Sequence, residues 1–293
     1  MQEFTPTETE GWVEQRFVGG GTRNVNNFVL GPTDVTARLV FNPQNFELMA
    51  YALGLNTDGA GSQVVAHTMS ELNSTGTFPS FAIEEAKGLP TIESRTYRGI
   101  IVNTAELSGR QGEPLTVSMD LVAQSGSAGT SITAVTSGTK VPYMWSDTLL
   151  NISGAALNLT GFLDETTEFT WSLNNNLTNF HYVNGSRVIG KPIPTNRDYE
   201  ATVTLHMTDV TGGRLWDIAR NGSSFNFDIQ IRRTGASTAS GNDFWLFWNS
   251  GCQMYEASYP NPPEGAIEQR LVIRPTNAGI SGTDVIGSYA TFF

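Results

Sequence analysis

Strict alternation of apolar and polar residues constrains this chain more than any other feature. Over 199–207 one face carries Tyr199, Ala201, Val203, Leu205 and Met207, and the other Glu200, Thr202, Thr204 and His206. Phe225, Phe227, Ile229 and Ile231 alternate in the same way with Asn226, Asp228 and Gln230. Leu115, Val117, Met119 and Leu121 do so with Thr116, Ser118 and Asp120, and Phe169, Trp171 and Leu173 with Thr170 and Ser172. Period two puts successive side chains on opposite faces of a strand. One dry face and one wet face per strand is the mark of antiparallel sheets. Helical pattern is confined to two short segments, 46–53 (FELMAYAL) and 214–219 (RLWDIA). The stretches 54–78, 125–140 and 234–243 are rich in Gly, Ser, Thr and Asn and read as loops. The expected class is therefore all-β with minor α.

The chain also echoes itself. The segment at 35–53, an alternating strand, a polar turn and a short helix, resembles 201–219. SFAIEEA (80–86) resembles SFNFDIQ (224–230), and 96–121 parallels 247–273, with Gly99 matched to Gly251 and Glu113 near Glu264. Four elements in one order point to two copies of a unit of roughly 140 residues. The expected layout is an N-terminal arm (1–21), a first repeat (22–145) with an inserted loop at 54–78, a connector (146–166) and a second repeat (167–293).

Composition narrows the function. Of 293 residues only 15% are charged, and the formal net charge is −11. A surface built to hold nucleic acid is basic, because neutralised phosphates supply most of the affinity. The single cysteine, Cys252, excludes an intrachain disulfide and a cysteine metal cage. No apolar run approaches the ~20 residues of a membrane span, so no membrane insertion is expected. His67, His181 and His206 are the only histidines, and no metalloprotease or nucleophile-elbow motif accompanies them. The acidic pairs Glu84–Glu85 and Asp164–Glu165 are adjacent in sequence. On a strand such neighbours point to opposite faces, which defeats paired action on one substrate. No catalytic residue, metal site or cofactor is expected. The aromatic cluster FWLFW (244–248), with Trp171 and Trp216, suits a core or a subunit interface better than a sugar-stacking shelf.

The run RTYRGIIVNTAELSGRQGEPLTVSMDLVA (95–123) resembles the signature segment of tail tube proteins of long-tailed bacteriophages and related archaeal viruses. An aromatic-x-Gly strand, an Asn-x-x-x-Leu step and a Gly-Glu-Pro turn lead there into an alternating strand. FELMAYALG and FPSFAIEEAKG upstream fit the same pattern. FTWSLNNNL (169–177), 185–207 and RLVIRP (270–275) extend it more weakly over the second half.

The resemblance implies a duplicated antiparallel β-sandwich or barrel tail-tube fold, each repeat with a short flanking helix. It implies a non-enzymatic subunit that stacks in rings as a conduit for DNA ejection. Its partners would be itself, the tail tip or baseplate, the tape measure and the tail terminator, with double-stranded DNA in transient passage. The place would be the virion tail, after assembly in the host cytoplasm. Related rings of single-copy subunits are hexameric, so a duplicated chain would complete a pseudo-sixfold ring as a trimer, with a hexamer as the alternative. Wet-face acids Asp120, Glu200 and Asp228 are candidates to face the lumen. Phe4, Trp12, His67 and Phe78 are candidates for contacts between subunits or rings. The competing reading is a carbohydrate-binding β-sandwich or adhesin on a virion or cell surface.

Overall fold

A computed structural model describes residues 3–15, 25, 27–59, 64–72, 78–87, 93–129, 141–154, 161–184, 186–206, 212–233, 243–258 and 267–285. The chain opens with a hairpin of β1 (Glu3–Gln15) and β2 (Asn27–Phe41), then helix α1 (Met49–Leu53). A second hairpin, β3 (Gly54–Asp58) and β4 (Val64–Glu71), precedes β5 (Phe81–Lys87), the long β6 (Glu93–Arg110), β7 (Thr116–Ala123) and β8 (Ser125–Gly129). Strands β9 (Thr148–Ser153) and β10 (Gly161–Phe162) lead to β11 (Thr166–Asn174) and a two-stranded excursion, β12 (Leu177–Thr178) with β13 (Ile193–Pro194). The rest is β14 (Asp198–His206), helix α2 (Gly212–Asn221), β15 (Phe225–Arg232), the long β16 (Phe244–Ala257), β17 (Glu268–Arg274) and β18 (Asn277–Val285). Over the described residues the fold is all-β with two short α-helices.

Eight strands run side by side in the order β1-β2-β7-β6-β11-β14-β17-β16, all antiparallel. Beyond this long sheet, β6 and β16 turn away and change partners. Up to Ile100, β6 pairs with β5 and β8; from Ile101 it pairs with β7 and then β11. Up to Cys252, β16 pairs with β15 and β18; from Gln253 it pairs with β17. The turning points are Gly99 and Gly251, with φ of 65° and 61°. A Cβ at either would sit in the left-handed region and run into the side chain of Gln124 or Thr276.

The two halves share their ladders in detail. The order β2-β7-β6-β5 in the first recurs as β14-β17-β16-β15 in the second. A bulge falls between Val102 and Thr104 against β7, and between Met254 and Glu256 against β17. Another falls between Phe81 and Ile83 on β5, and between Phe225 and Phe227 on β15. The Gln124 amide donates to Arg98 O at 3.0 Å, and the Thr276 amide to Ser250 O at 3.2 Å. These pairings equate Ile101 with Gln253, Ala37 with Ala201, and Phe4 with Phe169.

One core cluster lies between the layers. Trp171, Trp245, Phe247, Phe46 and Tyr143 form its centre, all at or below 1% exposure. Phe247 meets Trp171 edge-on at 5.4 Å and Phe46 at 5.1 Å, while Phe46 stacks on Tyr143 at 5.5 Å. Each such ring contributes about 1.5–3 kcal/mol by leaving water. The buried polar atoms of Asn249 are paired: Oδ1 accepts from Trp171 Nε1 at 2.8 Å, and Nδ2 donates to Phe227 O at 2.9 Å.

Several sequence expectations change. The expected arm at 1–21 is, over its described residues, the edge strand β1, whose Pro and acidic residues mask its period. The expected loop at 54–78 holds β3 and β4, because β4 closes the edge of β18 through Ile280↔Met69 and Gly282↔His67. The connector at 146–166 holds β9 and β10, and β9 pairs with β15. Residues 125–129 form β8 rather than loop, while 130–140 and 234–242 lie outside the described residues. The first helix begins at Met49, after a turn at 47–48.

Candidate assembly surface

The wet face of the long sheet is built from rows that cross all its strands. Thr5, Arg38, Asp120 and Thr104 share one row, and the Thr104 hydroxyl donates to Asp120 Oδ2 at 2.7 Å. Ser118, Glu106, Ser172 and Glu200 share the next, and Arg274 closes it with Nη2 3.0 Å from Glu200 Oε2. Thr170, Ser108 and Thr202 stand among the charges, with Val40 and Val272 on the same face. Asp120 and Glu200 therefore stand on one face, in neighbouring rows. Asp228 does not join them: it lies on β15, outside the long sheet, opposite Trp248 and Asn151. Burial pushes its carboxyl above the usual range, opposed by a hydrogen bond from the Asn249 backbone.

The four contact candidates divide sharply by exposure. Phe4 is half-buried and packs edge-on against Tyr97 at 5.6 Å. His67 is buried, stacked on Trp245 at 5.4 Å, with Nδ1 2.8 Å from Asp58 Oδ1 and Nε2 3.8 Å from Glu47. Phe78 is buried beneath the Arg197 guanidinium at 5.4 Å. Trp12 alone is open, at 58% exposure, and it meets Phe28 edge-on at 6.4 Å.

Trp12 and Phe28 lie where the β1–β2 hairpin outruns its neighbour. Strand β7 pairs with β2 only from Val35 onward, so the remainder of the hairpin is a two-stranded ribbon. Its tip exposes Val13, Val29 and Leu30 as well. The excursion after β11 braces it: Arg187 Nε donates to Gly31 O at 2.8 Å, and the Thr33 amide donates to Arg187 O at 2.9 Å. That excursion exposes Phe180, Tyr182 and Val183 at the same end. At the other end of the strands, Trp145 and Leu149 are exposed beside a cleft of about 340 Å³, whose lining includes Leu163 and Phe169. The aromatic run at 244–248 is no shelf: Trp245 and Phe247 are core.

Sequence reasoning missed the tip residues Phe28, Val29 and Leu30, although FVLGP between two asparagines and an aspartate is an apolar run in a polar setting. It also missed a second echo, Glu3-Phe4-Thr5 against Glu168-Phe169-Thr170, which the ladders equate.

Two strand edges of the long sheet have no strand against them among the described residues: the outer edge of β1, and that of β16 from Gln253 to Ala257. Exposed edges are a standing invitation to pair with another chain. Among the described residues no group of three potential metal ligands occurs, and no helix is long and apolar enough to cross a membrane.

A search of curated proteins found no match. Among solved structures, the SPP1 tail tube, determined by solid-state NMR and cryo-EM, is similar at 15% identity over 48% of this chain and 80% of that chain, with a TM-score of 0.38. The phage tail tube protein family matches residues 3–292. That match takes in every strand described above, and the chain belongs to the phage tail tube protein family as a structural subunit of the virion tail.

Proposed function

We propose that the chain is two copies of one tube unit and that three chains close a ring of six sectors, with a ring of six chains as the alternative. The first unit is β1-β2-β7-β6 with α1 and β5; the second is β11-β14-β17-β16 with α2 and β15. The first unit then starts at β1, not at residue 22. What carries the reading is the seam between β6 and β11: seven paired positions join the two units edge to edge within one chain. The same kind of edge is left over at β1 and at β16. A contact between different patches that repeats head to tail closes a ring when its rotation allows. Closure would also remove both exposed edges.

In this reading the wet face carrying Asp120 and Glu200 lines the bore, while Asp228 lies away from it. Rings stack through the ribbon tip at one end and the Trp145–Leu149 cleft at the other, so Trp12 serves between rings. His67 and Phe78, both buried, serve the subunit's own core. Double-stranded DNA passes without specific binding. The tail tip or baseplate, tape measure and terminator meet the ends of the stack, and assembly takes place in the host cytoplasm. The role is structural only; hydrolysis of a peptide, glycan or phosphate substrate that a point substitution abolishes would overturn that part.

Electron cryo-microscopy of assembled tubes tests the ring. Three chains per ring with pseudo-sixfold density are expected. Six separate chains per ring would sink the trimer and move one unit off the wall.

A further inference from the structure

The seam inside the chain can be read as a template for the seam between chains. In it, the Asn175 amide donates to Asn103 O at 2.8 Å and the Gln111 amide to Thr167 O at 3.0 Å. Pairs along an antiparallel ladder alternate between hydrogen-bonded and non-bonded. Phe169↔Gly109, Trp171↔Leu107 and Leu173↔Ala105 are therefore the bonded pairs, and Asn174↔Thr104 is non-bonded. The matching ladders carry β11 onto β1 and β6 onto β16, so Phe169, Trp171, Leu173 and Asn174 correspond to Phe4, Pro6, Glu8 and Thr9. Thr104 and Ala105 correspond to Glu256 and Ala257 through the shared bulge.

We propose that β1 of one chain adds to β16 of the next in this register, with Glu8 opposite Ala257 and Thr9 opposite Glu256, and that Pro6 guards the edge before assembly. The inference rests on the ring reading above but adds what that reading lacks, the register and its control. Pro6 holds the position of Trp171, whose amide points into the seam. A proline there offers no N–H to an incoming strand, yet costs nothing against β2, since the Pro6↔Ala37 pair is non-bonded on that side. The free edge of β1 thus presents one donor fewer than the matching edge of β11. Proline on an exposed strand is a recognised way to keep free edges from pairing prematurely. Glu8 adds a second restraint. It stands where the second unit has the buried Leu173, and it is held by Arg95 at 3.0 Å.

The test is disulfide trapping in assembled tubes, with buried Cys252 left in place. Non-bonded partners have Cα atoms about 4.5 Å apart, within disulfide reach. A shift of two residues opens that to roughly 8 Å, beyond it. Thr9→Cys with Glu256→Cys, oxidised with copper phenanthroline, is expected to link neighbouring chains; Thr9→Cys with Ser258→Cys is not. Thr7→Cys with Ser258→Cys is the second in-register pair should the first not assemble. Well-formed tubes that link only the shifted pair, or neither in-register pair, overturn the register. The size of the closed covalent circle reports separately on the ring: three chains or six. Pro6→Val is expected to lower the concentration at which purified subunits polymerise several-fold. An unchanged threshold, with Pro6→Ala agreeing, overturns the guard.

Discussion

Asn175 ties three segments together from a position that is 1% exposed. Its Nδ2 donates to Ala52 O of α1 at 3.0 Å and to Val102 O of β6 at 2.9 Å, and its Oδ1 accepts from Arg197 Nε at 2.8 Å. Asn175→Ala leaves two buried carbonyls and a guanidinium without that partner. Each costs on the order of 1 kcal/mol or more, so a loss of about 2–4 kcal/mol is expected, read as a melting point several degrees lower. Cys252 is the residue-scale probe of pH. Burial is the largest cause that pushes its thiol from 9.0 up to about 12. The folded chain therefore holds it neutral where the unfolded chain ionises it. Its contribution is complete below about pH 9 and drains away between there and about pH 12. Denaturant titrations should show stability falling across that window, with Cys252→Ala falling less. Below pH 9 a thiol reagent should label the chain only after unfolding; rapid labelling of the native chain would contradict the burial argument.

At the scale of elements, the ribbon tip is where the proposed contact between rings can be tested apart from folding. Trp12 and Phe28 pack on each other and are 58% and 55% exposed, so Trp12→Ser with Phe28→Ser should leave the melting point within about a degree. Rings are still expected, but stacks should shorten or vanish by electron microscopy; full-length tubes would remove the tip from the inter-ring contact. How far these elements were legible depended on which faces they bury. Strands β7, β11, β14 and β15 bury every second side chain, from Phe169 and Trp171 to Phe227 and Ile229, so their period was plain. Gly99 and Gly251 stood out because both copies need the same left-handed bend. By contrast, β1 presents Pro6, Glu8 and Glu10 on its inward side, and only Phe4 packs onto the core, so an edge strand looked like an arm. β3 and β4 were hidden by polar composition, since their place depends on a remote edge at β18 rather than on local pattern. For the same reason alternation marked Asp228 as wet but could not say which sheet it belonged to. His67 looked like a loop residue until β4 brought it against Trp245.

The whole molecule presents a mixed but acid-weighted wet face, the one proposed to line the bore. Glu3, Glu106, Asp120, Glu168, Glu200 and Glu268 share the wet face of the long sheet with Arg38, Arg110, Arg270 and Arg274, in a chain of net charge −11. Arg274 is engaged by Glu200 at 3.0 Å, which leaves less free positive charge to hold a phosphate. Three chains with eight strands each would make a barrel of 24 strands. At a spacing of about 4.8 Å and a tilt of about 40°, 24 strands close at roughly 150 Å around, or about 48 Å between opposite backbones. Side chains of a few ångströms on each side still leave a duplex room to move without touching both walls. Within about one Debye length of the wall, ~8 Å at physiological salt, acidic side chains repel phosphate rather than grip it. Reversing that charge should turn a conduit into a trap. Tubes carrying Glu106→Lys, Asp120→Lys and Glu200→Lys shift the wall by six charges per chain. They are expected to sediment with short linear duplex DNA at low salt and release it as salt rises, because binding by cations falls steeply with ionic strength. Unaltered tubes should leave the same DNA in the supernatant. Intact variant tubes that retain no DNA would show that this face does not line the bore.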